Sequence, residues 1–413
     1  MSVIVSKSEI LTALNSIKDT VVDSSLCPYS RYIKMTVDAT VGKLSITSSD
    51  TTSSNTAKIF IILQSHTNNA FTDFPLFEYK LFMKLVQSLP DQQIEIDQDR
   101  FNRDGQDHFK LIINAPSIKT PIVMNAFDPL FFPEVDPDPT TMVGSLKMPA
   151  ADFMKSVSTL APTIKQSEGL SLTNCIAFKV SNDELCCESY NDKLIKLSLL
   201  QTKLVNFTAP SSLGFFIDYF KFRSLLPHID KANDVTIDVY TNYALITTEN
   251  FISKIRFMSG SFPDIKSAIP AQFVANTFVS KVDLLKALNR VVLFANNNEP
   301  IKIDINQNEL VIEVESYLGH VSESISCATR GLSNFTVEVN PRNFIDTLNT
   351  YPFDKIMLLY PTAKALVVGT AIARPDFNFK TMLAANYLSA NAIKLDPVIT
   401  SFDDEASLPN VSM

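Results

Sequence analysis

Ser8-Glu9-Ile10-Leu11-Thr12-Ala13-Leu14-Asn15 recurs as Ala151-Asp152-Phe153-Met154-Lys155-Ser156-Val157-Ser158, and again as Val282-Asp283-Leu284-Leu285-Lys286-Ala287-Leu288-Asn289. With the acid as anchor, Glu9, Asp152 and Asp283 mark three units of comparable length, and a period this long decides the architecture before any local reading does. After each copy come apolar residues at every second position: Met35, Val37, Ala39; then Ile176, Phe178, Val180; then Ile301, Ile303, Ile305. That alternation predicts half-buried strands.

A second triplet lies between these copies. Leu81-Phe82-Met83-Lys84-Leu85-Val86-Gln87-Ser88-Leu89-Pro90 matches Asp218-Tyr219-Phe220-Lys221-Phe222-Arg223-Ser224-Leu225-Leu226-Pro227 and, more loosely, Asn343-Phe344-Ile345-Asp346-Thr347-Leu348-Asn349-Thr350-Tyr351-Pro352. Each proline closes a helix, because it lacks the N–H and restricts the residue before it. The first two units also end alike, in Phe132-Pro133-Glu134-Val135 and Phe262-Pro263-Asp264-Ile265. The expected order within a unit is strand, helix, strands, strand, helix, strands, with links short enough for hairpins. The fold class is therefore α+β with antiparallel sheet rather than alternating βαβ. The boundaries fall at 1–141, 142–270 and 271–388, with a tail at 389–413, and the turn-rich Asp136-Pro137-Asp138-Pro139 reads as a linker.

Composition supports a multidomain globular chain. The 413 residues are 46% hydrophobic and 19% charged, and the net charge of -8 argues against a surface coated with nucleic-acid-binding charge without forbidding a local basic one. The longest nearly uncharged apolar run, 365–373, is too short for a membrane span, so a soluble, cytoplasmic protein with no membrane partner is expected. Cys27, Cys175, Cys186, Cys187 and Cys327 have no C-x-x-C spacing and read as free, buried thiols. The histidines His66, His108, His228 and His320 show no metal-ligand spacing, and no phosphate-cradling glycine loop exists among nine glycines. No catalytic residue, metal or cofactor is expected.

The helices themselves carry the more specific signal. In the helix expected over 79–89, Phe82, Leu85, Val86 and Leu89 form an apolar stripe, while Lys80, Lys84 and Gln87 lie opposite. In the first helix of unit three, Leu285, Leu288 and Val292 face inward by the same reasoning, with Lys286 and Arg290 outside. Lys18, Lys155, Lys221, Arg223 and Arg342 complete the set. Lysines are what any soluble helix shows to water, yet their recurrence in six helices of an acidic chain predicts one basic surface that contacts phosphates without reading bases.

The threefold repeat, the segment Phe262-Pro263-Asp264-Ile265-Lys266-Ser267-Ala268-Ile269-Pro270 and the opening Asp283-Leu284-Leu285-Lys286-Ala287-Leu288-Asn289-Arg290 resemble the bacterial DNA polymerase III β subunits, the sliding clamps, over residues 1 to about 384. The resemblance implies a head-to-tail homodimer whose six domains close into a ring around double-stranded DNA, with helices lining the hole. It implies a replicative DNA polymerase, a clamp loader and other peptide-motif binders as partners. Their pocket positions would be Thr173, Ser189, Asn191, Asp192, Lys193, Leu194, Pro263, Ser267, Ala268, Met382, Leu383 and Ala384, and the dimer joint would hold Phe109, Leu293 and Phe294. The chain departs from the family pattern where Gly-His-Arg-Leu becomes Asn191-Asp192-Lys193-Leu194, where an arginine becomes Ser267, and where Met-Pro-Met becomes Met382-Leu383-Ala384. A tail folded back on this pocket would compete with incoming peptides. The alternative class is a non-enzymatic structural or assembly protein built of repeated β-rich domains.

Overall fold

The computed structural model describes residues 2–63, 71–134, 142–164, 171–181, 184–191, 196–203, 206–208, 212–258, 260–295, 299–332, 334–351, 353–361, 365–370 and 378–389. The linker at 136–139, Asp192, Lys193, Leu194, the helix-closing Pro352 and the tail from 390 onward lie outside the described residues. By its internal contacts the chain divides into two compact units. Unit 1 is Met1–Met154, Val205–Pro210 and Ile217–Met258; unit 2 is Lys155–Leu204, Ser211–Phe216 and Ser259–Met413.

Unit 1 holds two antiparallel sheets. One orders the strands Ile122–Ala126, Gln106–Asn114, Gln93–Arg103, Val3–Ser6 and Ile62–Leu63. The other has ten strands and joins material from the first two sequence repeats through the pairing of Phe251–Arg256 with Ser53–Phe60, in register Phe251 to Ala57 and Ile255 to Ser53. Helix α1 (Lys7–Ile17) packs on strand Ser53–Phe60 and on helix α2 (Tyr79–Ser88). A serine N-cap starts α1: Ser6 Oγ accepts from Glu9 N at 3.2 Å and donates to Glu9 Oε2 at 2.7 Å, worth about 1 kcal/mol for such a cap. Phe82 and Val86 of α2 are fully buried and Leu89 nearly so, whereas Leu85 is half-buried at the stripe's margin.

Helix α3 (Ala150–Leu160) opens the second repeat. In unit 2 a twelve-stranded antiparallel sheet runs from Ser212–Asp218 to Ala365–Thr370, and Ala365–Thr370 also pairs with Asn378–Ser389, so the third-repeat strands close on themselves. Helix α4 (Ile265–Ala268) is a single turn, α5 (Lys281–Val291) repeats the cap of α1 through Ser280 and Asp283, and α6 (Pro341–Thr350) packs on α5.

Two details differ from the sequence expectation. The buried face of α5 is Leu284, Ala287, Leu288 and Val291, one residue out of phase from the stripe Leu285, Leu288, Val292; both sets fit helical spacing, and the small Ala287 lets the backbone approach the sheet. The second helical stretch of the second repeat is not an α-helix. It is two 3-10 turns, Tyr219–Lys221 and Leu226–His228, around buried Phe222 and Leu225. From cap to closing proline, Asp218 to Pro227 is three residues shorter than Glu78 to Pro90 or Asn340 to Pro352. That deficit is most of a helical turn of about 3.6 residues, and a helix this short gains too few bonds to offset nucleation.

Candidate functional site

The basic residues fall into two classes. Lys80 and Lys84 stand one turn apart on the exposed side of α2, opposite Phe82 and Val86, and Lys18 is exposed at the end of α1. No ion pair engages these three among the described residues. Lys286 is exposed on α5 with Asp283 at 4.0 Å. Arg342 is exposed in the first turn of α6. Arg342 belongs with the engaged cations, as do the remaining four. Lys155 lies 5.2 Å from the Phe353 ring, close enough for a cation–π contact. Lys221 donates to Asp50, whose side chain is 6% exposed. Arg223 lies 3.9 Å from Asp19 and 4.7 Å from the Phe220 ring. Arg290 forks onto Glu323 at 2.5 and 2.6 Å. Lys7, also basic and near the same helices, caps the carbonyls of Gln87 and Leu89 at the end of α2. A free ammonium meets a phosphate without breaking a prior bond; a paired one must exchange its partner. The acids Asp19, Asp50 and Glu323, which decide the class of each cation, are marked by no pattern in the sequence.

The second constellation lies within unit 2. Thr173 sits in the turn Leu172–Asn174, fixed by Ser171 Oγ, which accepts from Thr173 N at 3.3 Å. Ser189, next to last in strand Glu184–Tyr190, is fully buried and donates to Leu160 O at 3.3 Å; Asn191 just past the strand is also buried. Pro263 is half-buried, and Ser267 and Ala268 are exposed on α4. Asp264 caps that turn, accepting from Ser267 N at 3.2 Å and Ser267 Oγ at 2.6 Å, and the Ser267 hydroxyl is the main cause holding its carboxyl below the ordinary value. Met382, Leu383 and Ala384 lie on strand Asn378–Ser389, with Leu383 opposite Lys196 and Ala384 opposite Ala365. Leu383 is 2% exposed, so it belongs to the floor and not to a contact surface.

The structure adds an aromatic wall to these positions. Tyr190 meets Phe262 edge-on at 5.1 Å, Phe216 lies 5.8 Å from Phe262, and Tyr190 and Phe262 pack on the core of Ile265, Ile269, Met357, Leu359 and Val367 that seats α4. Phe262 stands in the repeat ending and so was visible in sequence; Tyr190 and Phe216 had no signal beyond strand alternation. Burial, with the Glu188 carboxylate beside it, pushes the Cys186 thiol up to about 12, and burial raises Cys187 as well, so both stay protonated hydrophobes.

The third set is divided between the units. In unit 1, Phe109 is half-buried under the Arg100 guanidinium at 5.3 Å. In unit 2, Leu293 is 72% exposed and Phe294 half-buried just past α5, so Leu293 is not core. Among the described residues, strand Gly319–Gly331 pairs over 319–326 on one side only, leaving an open edge nearby. No three His, Cys, Asp or Glu side chains are grouped to hold a metal ion among these residues, and no helix is long and apolar enough to cross a membrane.

Residues 266–380 match the family model described as DNA polymerase III beta subunit, C-terminal domain. The chain is similar to the Beta sliding clamp of Mycoplasma capricolum, 27% identical over 176 residues that cover 41% of this chain and 46% of that protein. That alignment spans about half the length of the relative. Among solved structures, the DNA polymerase sliding clamp of Bacillus subtilis matches with a TM-score of 0.78 at 19% identity, covering 94% of this chain and 99% of that one. A Pseudomonas aeruginosa sliding clamp bound to griselimycin matches at 0.79 and 14% identity, covering 94% and 99%. The α+β sliding-clamp fold, helices on antiparallel sheets, is thus the fold of this chain.

Proposed function

We propose that this chain, a divergent member of the bacterial DNA polymerase III β subunit family, is a sliding clamp: a cytoplasmic, non-catalytic homodimer that rings double-stranded DNA and tethers the replicative polymerase. In this reading the three domains are 1–141, 142–270 and 271–388, needing no cofactor. Leu293 and Phe294 of one protomer meet the edge beside Phe109 of its partner. A clamp loader and other peptide-motif binders share the cleft at Thr173, Ser189, Asn191, Pro263, Ser267, Ala268 and Met382. By the family resemblance, Asp192, Lys193 and Leu194 are proposed to serve the same binders.

The observation that carries the reading is the exposed pair Lys80 and Lys84, free of acids among the described residues and backed by the fully buried Phe82 and Val86. Such a helix offers positive charge at fixed height without groups aimed at base edges, which suits sliding on phosphates. Lys18 and Lys286 extend this set. Lys155, Lys221, Arg223, Arg290 and Arg342 contribute field more than direct contacts.

Retention on nicked circular DNA against the same DNA linearised tests the proposal. Loaded protein should persist on the circle and leave the linear form. Replacing Lys18, Lys80 and Lys84 by Glu should weaken retention and flatten its salt dependence by about 0.9 in slope for each phosphate no longer neutralised. Equal retention on both topologies overturns encirclement.

A further inference from the structure

The repeat that builds the unit 2 pocket is present a second time, in unit 1. There the turn Pro28–Arg31 precedes strand Tyr32–Asp38 as Leu172–Asn174 precedes Cys175–Ser181, and Phe132-Pro133-Glu134 stands where the second repeat has Phe262-Pro263-Asp264. Ser49, at the end of strand Lys43–Ser49, donates through Oγ to Pro133 O and ties these elements together. Phe132 is buried with Tyr32 and Leu76, and Tyr29 packs on them.

What stands on this base is unusually apolar for a surface. Tyr29 stacks on Phe131 at 5.0 Å and 7°, and Phe127 meets both Tyr29 and Tyr32 edge-on at 6.0 and 5.0 Å. Leu130 is 88% exposed, Phe131 54% and Phe127 41%. Asp128 Oδ1 accepts from Leu130 N at 2.9 Å and fixes the turn that presents Leu130 and Phe131. Aromatic rings held in mutual contact lose little freedom when a partner covers them, which is the property of an anchor site.

One charged group borders the cluster with a donor unused. Arg31 lies 5.3 Å over the Tyr32 ring; its only acid among the described residues, Asp23, is 3.8 Å from Nη1, and its Nε is buried with no acceptor. The Arg31 side chain is 43% exposed and its Asp23 contact is longer than a hydrogen bond, so its outward N–H groups can make a charge-assisted bond to an incoming carboxylate.

We propose that Tyr29, Phe127, Leu130 and Phe131, bordered by Arg31, form a second docking site that takes a short extended peptide carrying a large apolar side chain and a carboxylate. The existence of this surface follows from unit 1 alone; the choice of a linear peptide as occupant rests on the peptide reading of the unit 2 cleft. The acid requirement follows from Arg31.

The test uses the full chain and a fluorescein-labelled hexapeptide, Asp-Phe-Asp-Leu-Phe-Gly, followed by anisotropy with calorimetric stoichiometry, with Lys-Phe-Lys-Leu-Phe-Gly as control. Two sites per chain are expected for the acidic peptide. Leu130→Asp with Phe131→Asp should remove one site, losing at least about tenfold in its affinity, and Ala268→Arg on α4 should remove the other. Arg31→Gln, which keeps the aromatic cluster, should weaken the first site about threefold to tenfold for the acidic peptide and leave the lysine control unmoved. Circular dichroism melts verify that each variant is folded; if the double variant unfolds, Arg31→Gln alone decides. If only Ala268→Arg reduces binding, the second site falls and the cleft reading stands. If only the unit 1 variants reduce it, the cleft reading falls and the second site stands. A change in sedimentation with no change in peptide binding would make the surface a contact between copies and overturn the peptide proposal.

Discussion

Helix α2 and the broken stretch Tyr219–His228 occupy equivalent places in successive repeats, and they use the same residue types for opposite ends. In α2 the lysines are exposed and unengaged, and the helix is held from behind by Phe82 and Val86. In the broken stretch Lys221 is 21% exposed and Arg223 45%, and their acids Asp50 and Asp19 are each 6% exposed. The backbone is tied down as well: Ser224 N donates to Asp19 Oδ2 at 2.6 Å, Ser224 Oγ donates to Ser16 O at 2.5 Å, and Asn55 Nδ2 donates to Lys221 O at 2.7 Å. Losing three residues cost this element its helix, and side chains that a helix would show to solvent became attachments inside unit 1. A count of cations therefore overstates the charge available to a ligand wherever a buried acid stands nearby.

The comparison breaks most visibly at Asp50. Its Oδ1 accepts from Thr52 N, Thr52 Oγ1, Ser53 N and Ser53 Oγ at 2.7 to 3.0 Å, holding a turn in which Thr51 adopts a φ of 75°. Asp50→Ala leaves the Lys221 ammonium half-buried and four donors unserved. A loss of about 3 kcal/mol in urea unfolding is expected, against less than about 0.5 kcal/mol for Lys84→Ala. Similar losses for the two would mean that the stretches do not differ in role.

This division was only partly legible. The strand alternation and the stripe of α2 are local patterns, and residues 79–89 could be placed from spacing alone. The partnerships of Lys221 with Asp50 and Arg223 with Asp19 join residues far apart in the chain, and nothing local to Asp19 or Asp50 marks either as an acceptor. The loss of the helix at Tyr219–His228 was readable in principle, by measuring from Asp218 to Pro227 rather than by matching side chains. In unit 2 the wall residue Phe262 was legible from its repeat, while Tyr190 became part of the pocket only through folding.

A smaller effect follows from titration. Burial raises the Asp50 carboxyl, but the Lys221 charge and hydrogen bonds from Lys221, Thr52 and Ser53 outweigh it and hold the carboxyl below its ordinary value. A depressed native pKa contributes stability in full above the unfolded value of about 3.9, and that contribution is lost as pH falls through the native value. Burial raises neighbouring Asp218, so its sign is opposite, and protonating it favours the fold. The difference between wild type and Asp50→Asn isolates Asp50. The wild type's stability advantage should be constant from pH 7 to about 5 and shrink below about 4. An advantage that persists unchanged to pH 2.5 would deny that Lys221 and Asp50 are coupled.

The smallest effect separates buried from exposed pairing. Arg290 and Glu323 form the same fork geometry that makes a strong hydrogen-bonded pair, yet the arginine side chain is 56% exposed on α5, where Lys286 also stands exposed. Water screens such a pair, so Glu323→Gln should leave the urea midpoint unmoved. Its consequence should appear in binding, because the guanidinium is released without being moved. Salt dependence of retention on circular DNA should steepen by about 0.9 in slope, the increment for one additional neutralised phosphate. Asp50→Asn should leave that slope as it was, since Lys221 stays recessed at the same place in unit 1. An unchanged slope for Glu323→Gln would remove Arg290 from the DNA surface and leave Lys286 as the phosphate-facing charge of α5.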